Sequence, residues 1–230
     1  MFQPSTSLLQ KVDGSAKLSQ GQIQVVASVT GPIEAKLRQE LPTSAALELV
    51  IRPATGVSLT REKLLEDKVR SVLQAVIIAE KYPRQLIQIV VQFLTCDQDF
   101  SASEDARNFT ANELNAALNC CYFALVDAGV ALSCSFASVS LSVDSESEKV
   151  IFDPSLDQLL GSKSHHVISY SIKDQQAENL LLVQSQGLFT ETQLVNILDA
   201  AADKCQDLHN KYQRRAVLEK IERDFVWKLE

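Results

Sequence analysis

Apolar positions recur along this chain at two different periods, and the switches between them lay out its elements. From Gln22 to Val29, β-branched residues run between Gly21 and Gly31-Pro32, and from Ala46 to Ile51 Leu47, Leu49 and Ile51 alternate onto one face. Both segments read as strands. After Thr60, a suitable N-cap, Leu65, Val69, Val72, Leu73 and Val76 fall at helical spacing, which predicts a helix to about Lys81, ended by Tyr82-Pro83-Arg84. Leu86 to Leu94 is apolar except for Gln88 and Gln92, the pattern of a central strand covered on both faces.

The second half repeats the alternation of periods. Residues 97–112 turn polar and charged and read as a loop. Thr110 and Glu113 then form a T-x-x-E capping box, followed by a helical stripe of Leu114, Ala117, Leu118, Cys121 and Leu125 and a closing Gly129. Ser138 to Val143 alternates strictly, with Val139, Leu141 and Val143 expected inward, and pairs as a hairpin with Val150 to Phe152. Asp153-Pro154 opens a short helix ending near Gly161, and His166–Ile172 and Asn179–Val183 read as a further strand pair. A long helix starts at Thr190, with Gln193 completing its box and Leu194, Ile197, Leu198, Ala201, Cys205 and Leu208 as its stripe. From about Lys211 the chain becomes dense in charge, with Val217, Ile221 and Phe225 every four residues and Trp227 close by. The tail is expected to continue as a helix packed back on its own domain, with docking to a partner as the alternative. The expected fold class is α/β (α+β): mixed β-sheets packed with helices, in one domain over residues 1–230.

Composition narrows the function classes. Of the 230 residues, 46% are hydrophobic and 22% charged, ordinary values for a folded soluble domain. No apolar run is long enough for a membrane span and the N-terminus lacks a secretory pattern, so an intracellular protein is expected. The five cysteines have neither C-x-x-C nor nearby histidine spacing and are read as reduced core residues. A net charge of −7 and an isoelectric point near 5.1 count against a protein that holds nucleic acid by its own charge. His165-His166 has no acid or cysteine partner at fixed spacing, so no metal site is expected there.

Several short strings, in order, resemble the RNase PH family over nearly the whole chain. They are Asp13-Gly14-Ser15-Ala16, Ser28-Val29-Thr30-Gly31-Pro32-Ile33-Glu34, Arg38-Gln39-Glu40-Leu41-Pro42, Thr60-Arg61-Glu62-Lys63, Tyr82-Pro83-Arg84-Gln85, Ala124-Leu125-Val126-Asp127-Ala128-Gly129 and Asp153-Pro154. The resemblance implies the RNase PH fold, of the ribosomal protein S5 domain 2 type, and a phosphorolytic 3′–5′ exoribonuclease ancestry.

In active members a Gly-Thr-Arg or Gly-Ser-Arg string at the start of the second helix holds the attacking phosphate. Counted back from Asp127, those positions are Asn112, Glu113 and Leu114 here, with no arginine and with a carboxylate near the expected phosphate. The family's two aspartates six residues apart correspond to Asp153 and Leu159, so one acid remains. Glu113 is read as a cap, and Asp153 as a turn residue before a general acid. Arg61 and Arg84 are candidate RNA contacts, with Arg52 and Arg107 as possible additions to the same strip.

What the resemblance then implies is a non-catalytic subunit of the eukaryotic RNA exosome ring. Its partners would be other RNase PH-like subunits in a hetero-hexameric ring, RNA-binding cap subunits and a hydrolytic nuclease subunit, with RNA in the central channel. No cofactor and no membrane are implied, and the expected location is nucleus, nucleolus and cytoplasm. The alternative is an active nuclease, phosphorolytic or metal-dependent through Asp144, Glu146, Glu148 and Asp153.

Overall fold

The apolar run near the middle of the chain becomes strand β5 (Gln85–Thr95), and the first sheet is assembled around it in a computed structural model describing residues 2–96, 109–145 and 149–224. Its partners are β1 (Phe2–Thr6), β2 (Gly14–Gln20), β3 (Ile23–Glu34) and β4 (Ala46–Arg52), in the order β1-β2-β3-β5-β4. Neighbours are antiparallel except β4 and β5, which run parallel and are joined by the crossover helix α1 (Thr60–Val76).

β5 lies inside the sheet as expected, but one face only is sealed: Ile87, Ile89, Val91 and Phe93 are buried, whereas Gln88 and Gln92 are half-buried. These two glutamines bind Glu48 and the Pro53 carbonyl, which is why polar side chains are tolerated there. β3 runs past the expected stop at Gly31-Pro32 to Glu34, with its register to β5 shifting between Thr30 and Ile33. Gly31 permits this because a Cβ there would sit 2.6 Å from the Leu86 carbonyl oxygen. β1 has the sequence FQPST, with no apolar alternation to announce it, and is held by pairing with β2.

Helix α1 begins one residue earlier than its sequence suggests and stops sooner. Leu59 is the N-cap, its amide donating to Glu62 Oε2 at 2.7 Å. The helix ends at Val76 because the Ile78 amide bonds the Ala131 carbonyl and Ile77 bridges Leu132; a short 3₁₀ turn, Ala79–Lys81, follows. Buried Glu66 accepts the Ile51 amide of edge strand β4 at 2.9 Å, satisfying a donor that has no further strand beside it.

The second sheet contains β6 (Ser135–Asp144), β7 (Val150–Phe152), β8 (Ser162–Lys173) and β9 (Gln176–Gly187), all antiparallel, in the order β7-β6-β8-β9. Helix α2 (Ala111–Ala128) packs against β2 and β3 on one side and β6 and β8 on the other, and is buried almost all round. This changes the meaning of the alternation in β6. Val139, Leu141 and Val143 do turn inward, toward α4 (Glu191–Leu208), but the serines between them are buried as well. Asn112, Asn115 and Asn119, along one side of α2, meet this serine face: Ser140 Oγ donates to Asn112 Oδ1 at 2.8 Å, and Asn119 exchanges hydrogen bonds with the Ser138 backbone. A polar layer thus fills the space between helix and sheet.

The capping boxes of α2 and α4 form as expected, with Gly129 left-handed after α2 at φ 69°. A short α3 (Leu156–Leu160) is capped by Ser155 with Gln158 rather than by Asp153. After α4 the chain makes one π turn, His209–Gln213, and continues as α5 (Arg214–Asp224). The tail reaches its own domain through Arg223, which bonds Asp127 at the end of α2, but no residue of α5 is buried and Ile221 of the expected apolar stripe is exposed. Phe225, Trp227 and Arg107, and the hairpin residues Glu146 and Glu148, lie outside the described residues. Among the described residues no helix is long and apolar enough to cross a membrane.

Candidate functional site

The first turn of α2 is where a helix presents unpaired amides and a partial positive charge, the arrangement that suits an anion. Here the chain supplies the anion itself. Thr110 Oγ1 accepts the Glu113 amide at 3.2 Å, and Glu113 Oε2 accepts the Thr110 amide at 3.0 Å. The same oxygen lies 2.5 Å from Arg61 Nη2, and Arg61 also reaches Glu62 Oε1 at 3.2 Å.

This cluster is closed to solvent: the side chains of Arg61 and Glu113 are 9% and 1% exposed. Burial pushes the Glu113 carboxyl above its usual range, opposed by the Arg61 charge and the Thr110 amide, with the Cys96 thiol as its weakest supporting contact. Burial and the neighbouring Glu113 charge together push that thiol up to about 12, so it is no nucleophile.

The other residues singled out by sequence separate into structural and cleft positions. Leu114 is fully buried in the main core, and Leu159, where the family's second acid would stand, is 8% exposed and joins that core. Asn112 is buried, its Nδ2 donating to the Pro154 carbonyl at 2.8 Å, so it ties the start of α2 to the Asp153-Pro154 turn. Asp153 has φ 50° and accepts Gln20 Nε2 at 2.6 Å. Although the residue has exposed surface, its carboxyl is crowded by protein atoms, and that desolvation pushes its pKa up against the pull of Gln20 and Lys204.

Asn112 and Asp153 line a cleft of about 820 Å³ that also takes in Gln20, Lys204, Lys211 and Tyr212. Those four were not visible as site residues, because they come from β2, the end of α4 and the π turn, which share no local pattern. A smaller pocket of about 220 Å³ borders Ala111, Phe109, His165 and Gln186, so the first turn of α2 stands between the two.

Arg61 and Arg84 do not form a strip. Arg61 lies by Glu113 and Cys96, just beyond the end of β5, whereas Arg84 immediately precedes its start, about 30 Å away along an extended strand. Arg61, a candidate RNA contact by sequence, is turned inward, its guanidinium paired with Glu62 and Glu113 and 9% exposed. Arg84 keeps its side chain 72% exposed, 3.4 Å from Glu40, and Arg52 is exposed too. Among the described residues no cluster of three or more histidines, cysteines or acids could hold a metal ion, and His165 simply bonds Gln186 at 3.0 Å.

Comparison with known proteins bears on the family and the fold. The chain is 42% identical over 214 residues to the exosome complex component RRP46 of Saccharomyces cerevisiae, covering 92% of this chain and 93% of that protein. It is 27% identical to the rrp46 component of Schizosaccharomyces pombe, covering 89% and 84%. In fold it matches the crystal structure of rice Rrp46 with a TM-score of 0.75 at 24% identity, covering 92% and 93% of the two chains. It matches an Archaeoglobus fulgidus exosome with RNA bound to the active site with a TM-score of 0.69 at 18% identity, covering 92% and 88%. The family model described as the 3′ exoribonuclease family, domain 1, matches residues 2–131, and the chain belongs to that RNase PH family.

Proposed function

We propose that this chain is a ring subunit of an RNA exosome that keeps the RNase PH fold and does not carry out phosphorolysis. The observation that carries this reading is the Glu113 carboxylate, which sits at the first turn of α2, accepts the amide of the N-cap Thr110 and takes Arg61 for itself. A phosphate brought to the same turn would find Arg61 already paired and meet a buried acid at close range. Leu159 supports the reading from the chemical side: a leucine packed in the core has no proton to give.

Ring membership rests on the 42% identity to the yeast component, along nearly the full length of both chains. In that setting the chain contributes interfaces beside other RNase PH-like subunits in a hetero-hexameric ring. Cap subunits and a hydrolytic nuclease would attach to that ring, in nucleus, nucleolus and cytoplasm. With a net charge of −7, it depends on its neighbours for most of the positive charge along an RNA path, exposed Arg84 being a local exception.

The test is direct. Purified chain is incubated with end-labelled single-stranded RNA and phosphate, and separately with magnesium or manganese, and is also mixed with RNase PH-like ring subunits. Unshortened RNA and stable co-elution are expected. RNA shortening that disappears in Asp153→Asn would establish the nuclease reading instead, and failure to associate with any ring subunit would sink the assembly role.

A further inference from the structure

We infer that the cleft beside Asp153 is a socket for an arginine side chain of a protein partner, presented on a segment that also carries an acid. Ring membership by itself names no contact at this place, and only the loss of catalysis is carried over from the reading above.

The cleft offers acceptors that lack donors. Gln20, at the end of β2, is 8% exposed, and its Nε2 donates to Asp153 Oδ1 at 2.6 Å. That bond fixes which way the amide points, so the other atom is the acceptor Oε1, and it has no hydrogen-bond partner. A buried acceptor left unpaired is costly, and a donor entering the cleft relieves it. Asp153 stands beside it at φ 50°, with Gln20 as a donor to its carboxylate. Crowding by protein atoms pushes that carboxyl's pKa up, so the ionised acid gains from an added cation. A guanidinium answers both needs at once, because it stays charged and carries five donors in a flat fork that can reach Asp153 and the Gln20 oxygen together. A pair of hydroxyls would supply the donors but no charge.

The rest of the lining describes what carries that arginine. Phe2, Leu156 and Leu208 give its aliphatic stem apolar surface. The charged side chains of the lining are two acids, Asp153 and Asp207, and two lysines, Lys204 and Lys211, so the cleft has no net charge and suits neither a polyanion nor a polycation. Lys204 Nζ lies 5.6 Å from the centre of the Phe152 ring and Lys211 Nζ 5.3 Å from that of Tyr212, which holds each ammonium at the wall. The π turn at His209–Gln213 keeps Lys211 there: it sends Gln213 into the core, where it donates to the Phe136 carbonyl at 2.7 Å, and leaves Lys211 bordering the cleft. An acid close to the arginine on the entering segment meets these lysines. The volume of about 820 Å³ lies high in the range of ligand sites and exceeds what one side chain fills, so the occupant is a stretch of chain.

Titration of the full chain, followed through its backbone amide NMR shifts, tests this. The probes are the peptide acetyl-Gly-Arg-Ala-Glu-amide, its counterparts with citrulline for arginine and with glutamine for glutamate, arginine amide alone, and single-stranded oligoadenylate RNA. The arginine peptide is expected to shift amides around Gln20 and Asp153 and to bind at least roughly tenfold tighter than the citrulline peptide. Asp153→Asn, in which asparagine tolerates the positive φ, is expected to lose roughly tenfold in affinity for it, and Gln20→Met to weaken it as well. A Lys204→Met, Lys211→Met double variant is expected to erase the difference between the glutamate and glutamine peptides. Equal binding of the arginine and citrulline peptides, arginine amide binding as tightly as the peptide, tighter binding of the RNA at the same residues, undiminished binding by Asp153→Asn, or no shift with any probe overturns the inference. Those failures leave the ring reading standing, because it is decided by RNA shortening and co-elution.

Discussion

Arg223 Nη2 lies 2.9 Å from Asp127 Oδ1 and joins the last helix to the far end of α2. Asp127 is the centre of a wider knot. It accepts the Ser7 hydroxyl at 2.6 Å, the Ser7 amide at 3.2 Å and the Ser15 amide at 2.9 Å, and Arg223 also bonds the Ser7 hydroxyl. One carboxylate thereby holds the N-terminal hairpin, the buried helix and the tail in a single arrangement.

Replacing Asp127 by Asn should therefore destabilise the fold by about 2 kcal/mol, since buried charge-assisted hydrogen bonds are lost together. Arg223→Ala should cost less, under about 1 kcal/mol, because the guanidinium side chain is 44% exposed and screened by solvent. Burial alone would raise the Asp127 pKa, but Ser7, Ser15 and Arg223 outweigh it and hold it below the ordinary value of 3.8. The stabilisation is then present above that value and fades as pH falls through the lower folded pKa. Denaturant midpoints of both variants across acid pH check the order and the sign.

His166 should make stability depend on mildly acidic pH. It is fully buried, with Ser185 Oγ 2.8 Å from Nδ1, Ser164 Oγ 3.0 Å from Nε2, and Phe189 edge-on at 5.0 Å. Burial, with the neighbouring His165 adding to it, lowers its pKa from 6.5 to about 4. The unfolded chain takes up this proton below 6.5 while the folded chain resists until about 4, so the contribution is complete above 6.5 and lost on acidification. The full change is on the order of 3 kcal/mol. Urea unfolding should show a shallower slope between those two pH values for His166→Gln than for the parent; equal slopes would assign the dependence to other groups.

The Arg61–Glu113 pair should show strong coupling. Removing Glu113 alone takes the nearest acid from a nearly buried guanidinium, and Glu113→Leu should cost about 3 kcal/mol. Arg61→Met strands the acid in turn. The double variant Arg61→Met, Glu113→Leu should recover a large part of either loss, so a double-mutant cycle should give an interaction energy above about 1 kcal/mol. Additive losses in thermal melts would contradict the paired geometry.

Gly14 is required by contact rather than by backbone angle. A Cβ there would lie 2.2 Å from the Ala128 amide nitrogen and 2.5 Å from the Ala124 carbonyl oxygen, both backbone atoms of α2 that have no room to retreat. Gly14→Ala should destabilise by about 3 kcal/mol, at the upper end for an overpacked site. A melting temperature within a degree or so of the parent would show that β2 can shift away from the helix.

Local chemistry in this chain was legible without coordinates. The boxes Thr110–Glu113 and Thr190–Gln193 depend on residues three apart, and such spacing survives any packing of the surrounding chain. Strand alternation located β4, β6 and the β8–β9 pair, and the family strings carried the fold. The alternation was incomplete where burial was two-sided: it placed Val139, Leu141 and Val143 of β6 inward, and the serines between them are buried too, under α2 with Asn112, Asn115 and Asn119. Leu159 likewise stood out as a missing acid, when its place in the fold is a core position.

Relationships between distant residues had to wait for the folded molecule. Glu113 announces itself as a cap, but that its carboxylate also holds Arg61, 52 residues away, follows from the packing of α1 beside α2. Arg61 and Arg84 look alike as exposed arginines in a string of letters, yet the length of β5 lies between them and one is turned inward. The cleft of Gln20, Asp153, Lys204 and Lys211 draws on four segments whose meeting depends on sheet order and on a single π turn. Short-range hydrogen bonding writes its pattern into consecutive residues, whereas charge pairing and cavity formation depend on which surfaces meet, and no local spacing encodes that.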